Sequence, residues 1–163
     1  MRLYFLRHAD ADAASRLSDS ERVLSSSGIA EAASVSEAVA ELGLTMTEIF
    51  ASPFARAMQT AEIVAKRFPS LRVQALEHLT PNAPPENFFR ELQSLPRDAR
   101  VLLVTHEPFV SRCIGMLISA DGEPKVSIKK ASLSCVEVGS PVRRGAGVLL
   151  WILTNDQMKH MKG

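Results

Sequence analysis

Four residues in this chain have the side chains needed to handle a phosphoryl group: Arg7 and His8 near the start, Arg56, and His106. Arginine presents a planar fork of donors that matches phosphate oxygens. A neutral imidazole is a nucleophile near neutral pH, its unperturbed pKa being about 6.5. His8 can attack phosphorus in line while two arginines and a second imidazole clamp the equatorial oxygens. Water can then hydrolyse the resulting phosphohistidine. Taken singly, each residue has an ordinary explanation. A histidine after a strand is commonly a polar loop residue, Arg56 reads as a solvated helix residue, and Arg7 can pair with Asp10 or Asp12. Only convergence separates the two readings.

The elements around these residues supply that convergence. Arg2 to Leu6 is apolar and β-prone and reads as a buried strand. A polar loop, Ala9 to Ser20, leads to an Ala-rich helix over Ser27 to Leu42 that ends near Gly43. Glu48 to Ala51 is a second strand. Ser52-Pro53 then predicts an N-cap and first helical position, with a helix through about Phe68. A weaker strand spans Arg72 to Leu76, and a helix spans Pro84 to Leu95. Arg100 to Thr105, apolar at nearly every position, is expected to be a central parallel strand. Pro108 to Ser119 is helical. Ser132 to Val138 and Gly147 to Leu153 predict a hairpin at a sheet edge, with an apolar edge at Ser132 to Val138 that can support pairing of chains. A short helix follows from about Asn155.

Strands alternating with helices imply an α/β fold of three layers, with a mostly parallel sheet and an antiparallel C-terminal hairpin. Ligands of such sheets bind beyond the carboxyl ends of the strands. His8, Ser52 with Arg56, and His106 all follow strand ends, so the fold brings two histidines and two arginines to one rim. The helix beginning near Pro108 adds backbone N–H groups and a favourable dipole.

The rest of the composition narrows the field. The 163 residues predict a single domain over 1–163. With 46% hydrophobic and 23% charged residues the chain is of ordinary globular type. A formal net charge of +1 gives no basic field for nucleic acid. No apolar run has the length of a membrane span or fits a signal peptide, so a cytoplasmic location is expected. Cys113 and Cys135 lack CxxC spacing and read as buried free thiols. Two histidines with no matching carboxylate or cysteine spacing predict no metal site. Lys129-Lys130 and Arg143-Arg144 read as solvated pairs, or as attraction for an acidic protein. Phe88, Phe89 and Trp151 read as core, and Asp10 and Asp12 as loop acids that can also orient an arginine.

The combination of Arg7-His8-Ala9, SPFARAMQTA with Arg56, and VTHEP with His106 resembles the histidine phosphatase superfamily of phosphoglycerate-mutase-like fold. ERVLSSSG (Glu21 to Gly28), LTP (Leu79 to Pro81) and the tail GVLLWILTNDQMK are similar to the short SixA-type phosphohistidine phosphatases of that superfamily. The resemblance covers essentially the whole chain. It implies His8 as nucleophile and Arg7, Arg56 and His106 as phosphate ligands, joined by the backbone N–H of Glu107, with no cofactor. Ala9 stands where the family commonly has glycine, which matters if the turn after His8 needs a positive φ.

Many members use a glutamate after the third strand to protonate an alcohol leaving group. In the register LEHLTP, His78 stands at that place, with Glu77 before it. On an extended segment only one of the two can face the site. An alkoxide leaves poorly without a proton, whereas imidazole leaves readily from a P–N bond. The missing glutamate and the short chain therefore point to phosphohistidine on a protein, with phosphate as product. Two alternatives stay open: a phosphatase for small phosphate esters with Glu77 or His78 as proton donor, and a non-catalytic phosphate-binding module.

Overall fold

A computed structural model describes residues 1–13, 17–121 and 124–161. Residues 14–16 of the expected Ala9–Ser20 loop lie outside them. Six strands form one sheet: β1 (Arg2–Arg7), β2 (Glu48–Ala51), β3 (Val73–Ala75), β4 (Arg100–Thr105), β5 (Leu133–Val138) and β6 (Gly147–Leu153), in the order β3-β2-β4-β1-β5-β6. The first four in that order run parallel; β5 is antiparallel to β1, and β6 to β5. The fold is the expected α/β arrangement, with β4 at the centre and the hairpin at one side.

Side-chain alternation along the strands divides the core into two layers. Leu3 and Phe5 of β1, with Val101 and Leu103 of β4, pack against Phe88 and Phe89 of helix α3 (Pro85–Leu92) and Phe109 and Ile114 of α4 (Phe109–Ile118). Tyr4, Leu6, Leu102 and Val104 point the other way. They meet Val35 and Val39 of α1 (Ser26–Glu41), Ala57, Ala61 and Val64 of α2 (Ala55–Ala65), and Met158 of α5 (Asn155–Lys159). Ser25 caps α1 by accepting from the Gly28 N–H, and α1 ends before Gly43, which adopts φ 60°. Cys113 and Cys135 are buried free thiols.

Four expectations need correction. Ser52 does not cap α2, because its own N–H donates to the Val104 carbonyl at 2.9 Å and continues the sheet. The helix starts at Ala55 instead, with the Phe54 carbonyl accepting from Ala57 and Met58. At its other end α2 stops at Ala65, and tighter turns close Arg67 onto Val64 and Phe68 onto Ala65. The Ser132–Val138 strand is not an edge: β5 is paired on both sides, and β6 forms that border. Finally, Glu77–Leu79 is a 3₁₀ turn rather than an extended segment, so alternation does not govern Glu77 and His78.

Candidate active site

Strand register sets the rim. The His8 N–H donates to the Thr105 carbonyl at 2.9 Å, one residue before His106, while Ser52 is bonded to Val104. The first residues beyond β1, β2 and β4 therefore lie side by side. Three of the expected residues meet there. The His8 and His106 rings have centroids 4.9 Å apart, and Arg56 Nε lies 3.3 Å from His8 Nε2. All three are buried, His106 almost completely at 1% exposure.

The tautomer of His8 follows from its partners. His8 Nδ1 is 2.8 Å from the Ala9 carbonyl oxygen, which can only accept, so Nδ1 carries the proton. Nε2 then bears the lone pair and accepts from the Arg56 Nε–H. Burial is the largest cause pushing the His8 pKa down, to about 4, and the nearby Arg56, Arg7 and Lys130 charges add to it against the Ala9 hydrogen bond. His8 is thus a neutral imidazole across the physiological range, unprotonated at Nε2, where it accepts from Arg56. Burial likewise pushes His106 to about 3, followed by the influence of His8 and Arg56. Neither ring nitrogen of His106 has a hydrogen-bond partner among the described residues. Buried polar atoms are normally satisfied, so His106 has unused capacity facing its neighbours.

Other parts of the chain hold this cluster together. Thr60 accepts from the Ala9 N–H and donates to the Arg56 carbonyl one helical turn earlier, tying α2 to the turn after His8. The Phe54 ring meets His106 edge-on at 5.0 Å and lies under the Arg56 guanidinium at 5.1 Å. Arg56 Nη2 pairs with Asp19 Oδ2 at 3.0 Å, and Nη1 donates to the Asp19 carbonyl. Arg7 donates through Nη1 to the Ile128 carbonyl at 2.8 Å, while its buried Nε has no partner among the described residues.

The Ala9 position is settled by its backbone. Ala131, at φ 50°, is the one non-glycine residue with positive φ among the described residues, so Ala9 carries no left-handed strain. The glycine that matters here is Gly28. A Cβ there would lie 1.9 Å from the Asp10 carbonyl oxygen, so only glycine lets the start of α1 close on the loop after His8. Asp10 does not orient an arginine. Its carboxylate takes Lys130 at 2.6 Å and Ser25 at 2.7 Å, and these bonds, Lys130 first, hold its pKa at about 2. Lys130 is correspondingly a paired lysine.

Glu77 and His78 belong to the turn whose Leu79 carbonyl accepts from Thr105 Oγ1 at 2.6 Å, next to His106. Glu77 is exposed, and His78 Nε2 lies 3.6 Å from Glu91 Oε1 of α3. The Glu107 carboxylate accepts from Ser111 at 2.6 Å. Among the described residues, no group of three or more His, Cys, Asp or Glu side chains can hold a metal ion. No helix among them is long and apolar enough to cross a membrane.

Sequence reasoning missed Asp19, Thr60 and Phe54. Thr60 stands four residues after Arg56 and Phe54 two before it, both inside the motif already singled out. Asp19 had no such signal, since nothing in its spacing ties a loop acid to α2.

The model of the histidine phosphatase superfamily (branch 1) matches residues 3–80. An uncharacterized protein of Picosynechococcus is 30% identical over 143 residues, covering 86% of this chain and 87% of its own. The structure of the protein histidine phosphatase SixA complexed with tungstate is 26% identical and covers 97% of this chain and 99% of its own, with a TM-score of 0.86. A putative alpha-ribazole-5'-P phosphatase of Escherichia coli K-12 shares the fold at 18% identity, with a TM-score of 0.75 over 95% of this chain and 97% of its own. The chain belongs to the histidine phosphatase superfamily and is a phosphatase with the SixA fold.

Proposed function

We propose that this phosphatase removes the phosphoryl group from phosphohistidine on a protein, through a phosphorylated His8. The observation that carries the reading is the state of His8: buried, neutral and unprotonated at Nε2, whose lone pair accepts from Arg56 and is released when that N–H turns to the phosphoryl group. His8 Nε2 attacks phosphorus as the P–N bond of the substrate breaks. A phosphoimidazole protonated on its second nitrogen leaves as neutral imidazole and needs no external acid. Water then attacks the phosphoryl group on His8, phosphate departs, and the lone pair returns to Nε2. Arg7, Arg56 and His106, with the Glu107 N–H, are assigned to the oxygens of the transferring group. The unpartnered Arg7 Nε and His106 nitrogens support that assignment.

The substrate class rests on the leaving group. An ester needs a proton at its alkoxide, and the place where the family resemblance expects a glutamate holds His78, which pairs with Glu91 at 3.6 Å. The buried free thiols Cys113 and Cys135 support a cytoplasmic, reducing setting, where phosphohistidine-bearing signalling proteins would be the partners.

A phosphohistidine-bearing protein and glycerol phosphate, offered to the same preparation, provide the test. We expect turnover of the first to exceed that of the second by at least tenfold, with Glu77→Ala and His78→Ala leaving it within a few-fold. His8→Ala should abolish turnover, with an acid-labile phosphoryl group trapped on His8 only in the wild type. Faster hydrolysis of glycerol phosphate, lost in Glu77→Ala or His78→Ala, would replace this reading with an ester phosphatase. Full activity in His8→Ala would remove His8 as nucleophile.

A further inference from the structure

We infer that Asp19 is a positioning residue, which holds the Arg56 guanidinium by its two Nη groups so that Nε–H is aimed at His8 Nε2. The inference rests on the reading of His8 as nucleophile. Arg56 has four side-chain dihedrals and could otherwise sample many orientations. Here three of its five N–H groups are committed: Nη1 to the Asp19 carbonyl, Nη2 to Asp19 Oδ2 at 3.0 Å, and Nε to His8 Nε2 at 3.3 Å. The first two bonds come from one residue and fix the plane of the guanidinium. The third marks where the phosphoryl group will attach; as the N–P bond takes the Nε2 lone pair, Nε–H turns to a phosphoryl oxygen, and one N–H on each Nη remains for the others.

Asp19 is itself held. Its Oδ1 takes Arg22 Nη1 at 3.3 Å, and Arg22 Nε is anchored on the Asp12 carbonyl at 2.9 Å. Asp19 opens a 3₁₀ turn, Asp19–Glu21, closed by Glu21 N–H to the Ser18 carbonyl at 3.0 Å and Ser18 Oγ to Glu21 Oε2 at 2.5 Å. A continuous series therefore runs from Arg22 through Asp19 and Arg56 to His8. The side-chain hydrogen bond from Arg56, with its charge, holds the Asp19 carboxyl below its usual range.

An acid beside an anion site has a second physical reading, as a competitor that repels phosphate and occupies the fork. The two readings differ in sign. Removing a competitor tightens phosphate binding, whereas removing a positioner loosens it. Burial favours positioning. Arg56 is only 6% exposed, and a buried guanidinium without its counter-charge is costly and poorly oriented.

The experiment measures inorganic phosphate affinity by calorimetry, and p-nitrophenyl phosphate turnover, in the full chain. In Asp19→Ala we expect phosphate binding to weaken about tenfold, the size of one charge-assisted hydrogen bond. We also expect kcat to fall more than KM rises. Asp19→Asn keeps an oxygen acceptor and should recover part of the loss. Glu21→Ala opens the same 3₁₀ turn without touching Arg56 and should keep phosphate affinity within about twofold. Unchanged or tighter binding in Asp19→Ala would overturn the inference, as would no recovery in Asp19→Asn. An equal loss in Glu21→Ala would assign the effect to the turn rather than to the contact. Failure of the nucleophile reading looks different: His8→Ala would retain turnover while the phosphate affinities still followed Asp19.

Discussion

His8 and His106 lie with ring centroids 4.9 Å apart, both buried, yet they are equipped in opposite ways. His8 has both nitrogens engaged, Nδ1 on the Ala9 carbonyl and Nε2 on Arg56. His106 has neither engaged among the described residues and is held by packing against His8 and Phe54. One ring is fixed in tautomer and aim before any ligand arrives. The other keeps its hydrogen-bonding capacity in reserve. A nucleophile gains from a fixed lone pair, and a ligand-binding group gains from an unspent donor, since a buried unsatisfied atom rewards whatever satisfies it. The arginines differ in degree only: Arg56 is held at both Nη groups by Asp19, while Arg7 is held at Nη1 by the Ile128 carbonyl and keeps a buried Nε without a partner among the described residues.

Replacing each ring by phenylalanine breaks this comparison most directly. His106→Phe removes two unsatisfied nitrogens and keeps a ring between His8 and Phe54. Turnover is expected to fall roughly 10²- to 10³-fold, as for loss of one preorganised donor to the transferring group. The melting temperature should be unchanged or raised. His8→Phe leaves the buried Arg56 Nε–H without its acceptor and frees the Ala9 carbonyl. It should abolish turnover and also cost on the order of 1–3 kcal/mol of stability. Thermal unfolding of the two variants beside the wild type decides the matter; equal destabilisation by both would erase the distinction drawn between them.

Both imidazoles are pushed below their unfolded value near 6.5, chiefly by burial, His8 to about 4 and His106 to about 3. The unfolded chain then binds more protons than the folded one between those values, so stability rises with pH across that window. As pH is lowered from about 6.5 towards 4, the melting temperature should fall. In His106→Phe the slope should be shallower, because one of the two rings no longer titrates. Asp10 acts in a separate window. Its carboxyl is depressed to about 2, so its contribution is present above its usual carboxylate pKa and is lost only as pH falls towards 2. A melting temperature independent of pH between 6.5 and 4 would show that the rings are not held neutral.

The outline of this site was legible because it depends on where strands end. β2, β4 and β6 fall where apolar runs predict them, and a parallel register must place His8 beside His106. Helix boundaries were less legible. Ser52 and Pro53 have the residue types of a helix start, but hydrogen bonding to Val104 keeps Ser52 in the sheet, a tertiary contact that no local pattern encodes. The partners of the site residues were less legible again. Asp19 reaches Arg56 across a separation of 37 residues, and Lys130 reaches Asp10 across 120. Long charged side chains can choose among several partners, and the choice is made by the fold. The Glu77–His78 segment failed for a different reason, since a 3₁₀ turn replaced the extended chain whose alternation would have ranked the two residues.

Ala9 offers the finest test of how the His8 ring is fixed. Its carbonyl accepts from His8 Nδ1, its N–H donates to Thr60, and its methyl group is fully buried on the α1–α2 face of the sheet. The family resemblance makes glycine the expected residue, and Ala9→Gly restores it. Because Ala9 does not adopt positive φ, the glycine relieves no strain. It removes a buried methyl and adds backbone freedom to the unfolded chain, at a cost of about 1 kcal/mol. The same freedom loosens the carbonyl that sets the His8 tautomer, so turnover should fall by a few-fold at most while phosphate affinity, which we assign to Arg7, Arg56 and His106, stays unchanged. A gain in stability for Ala9→Gly would mean that the turn prefers a conformation alanine resists. The fixed His8 would then owe its aim to Arg56 alone, and the contrast with His106 would narrow to one hydrogen bond.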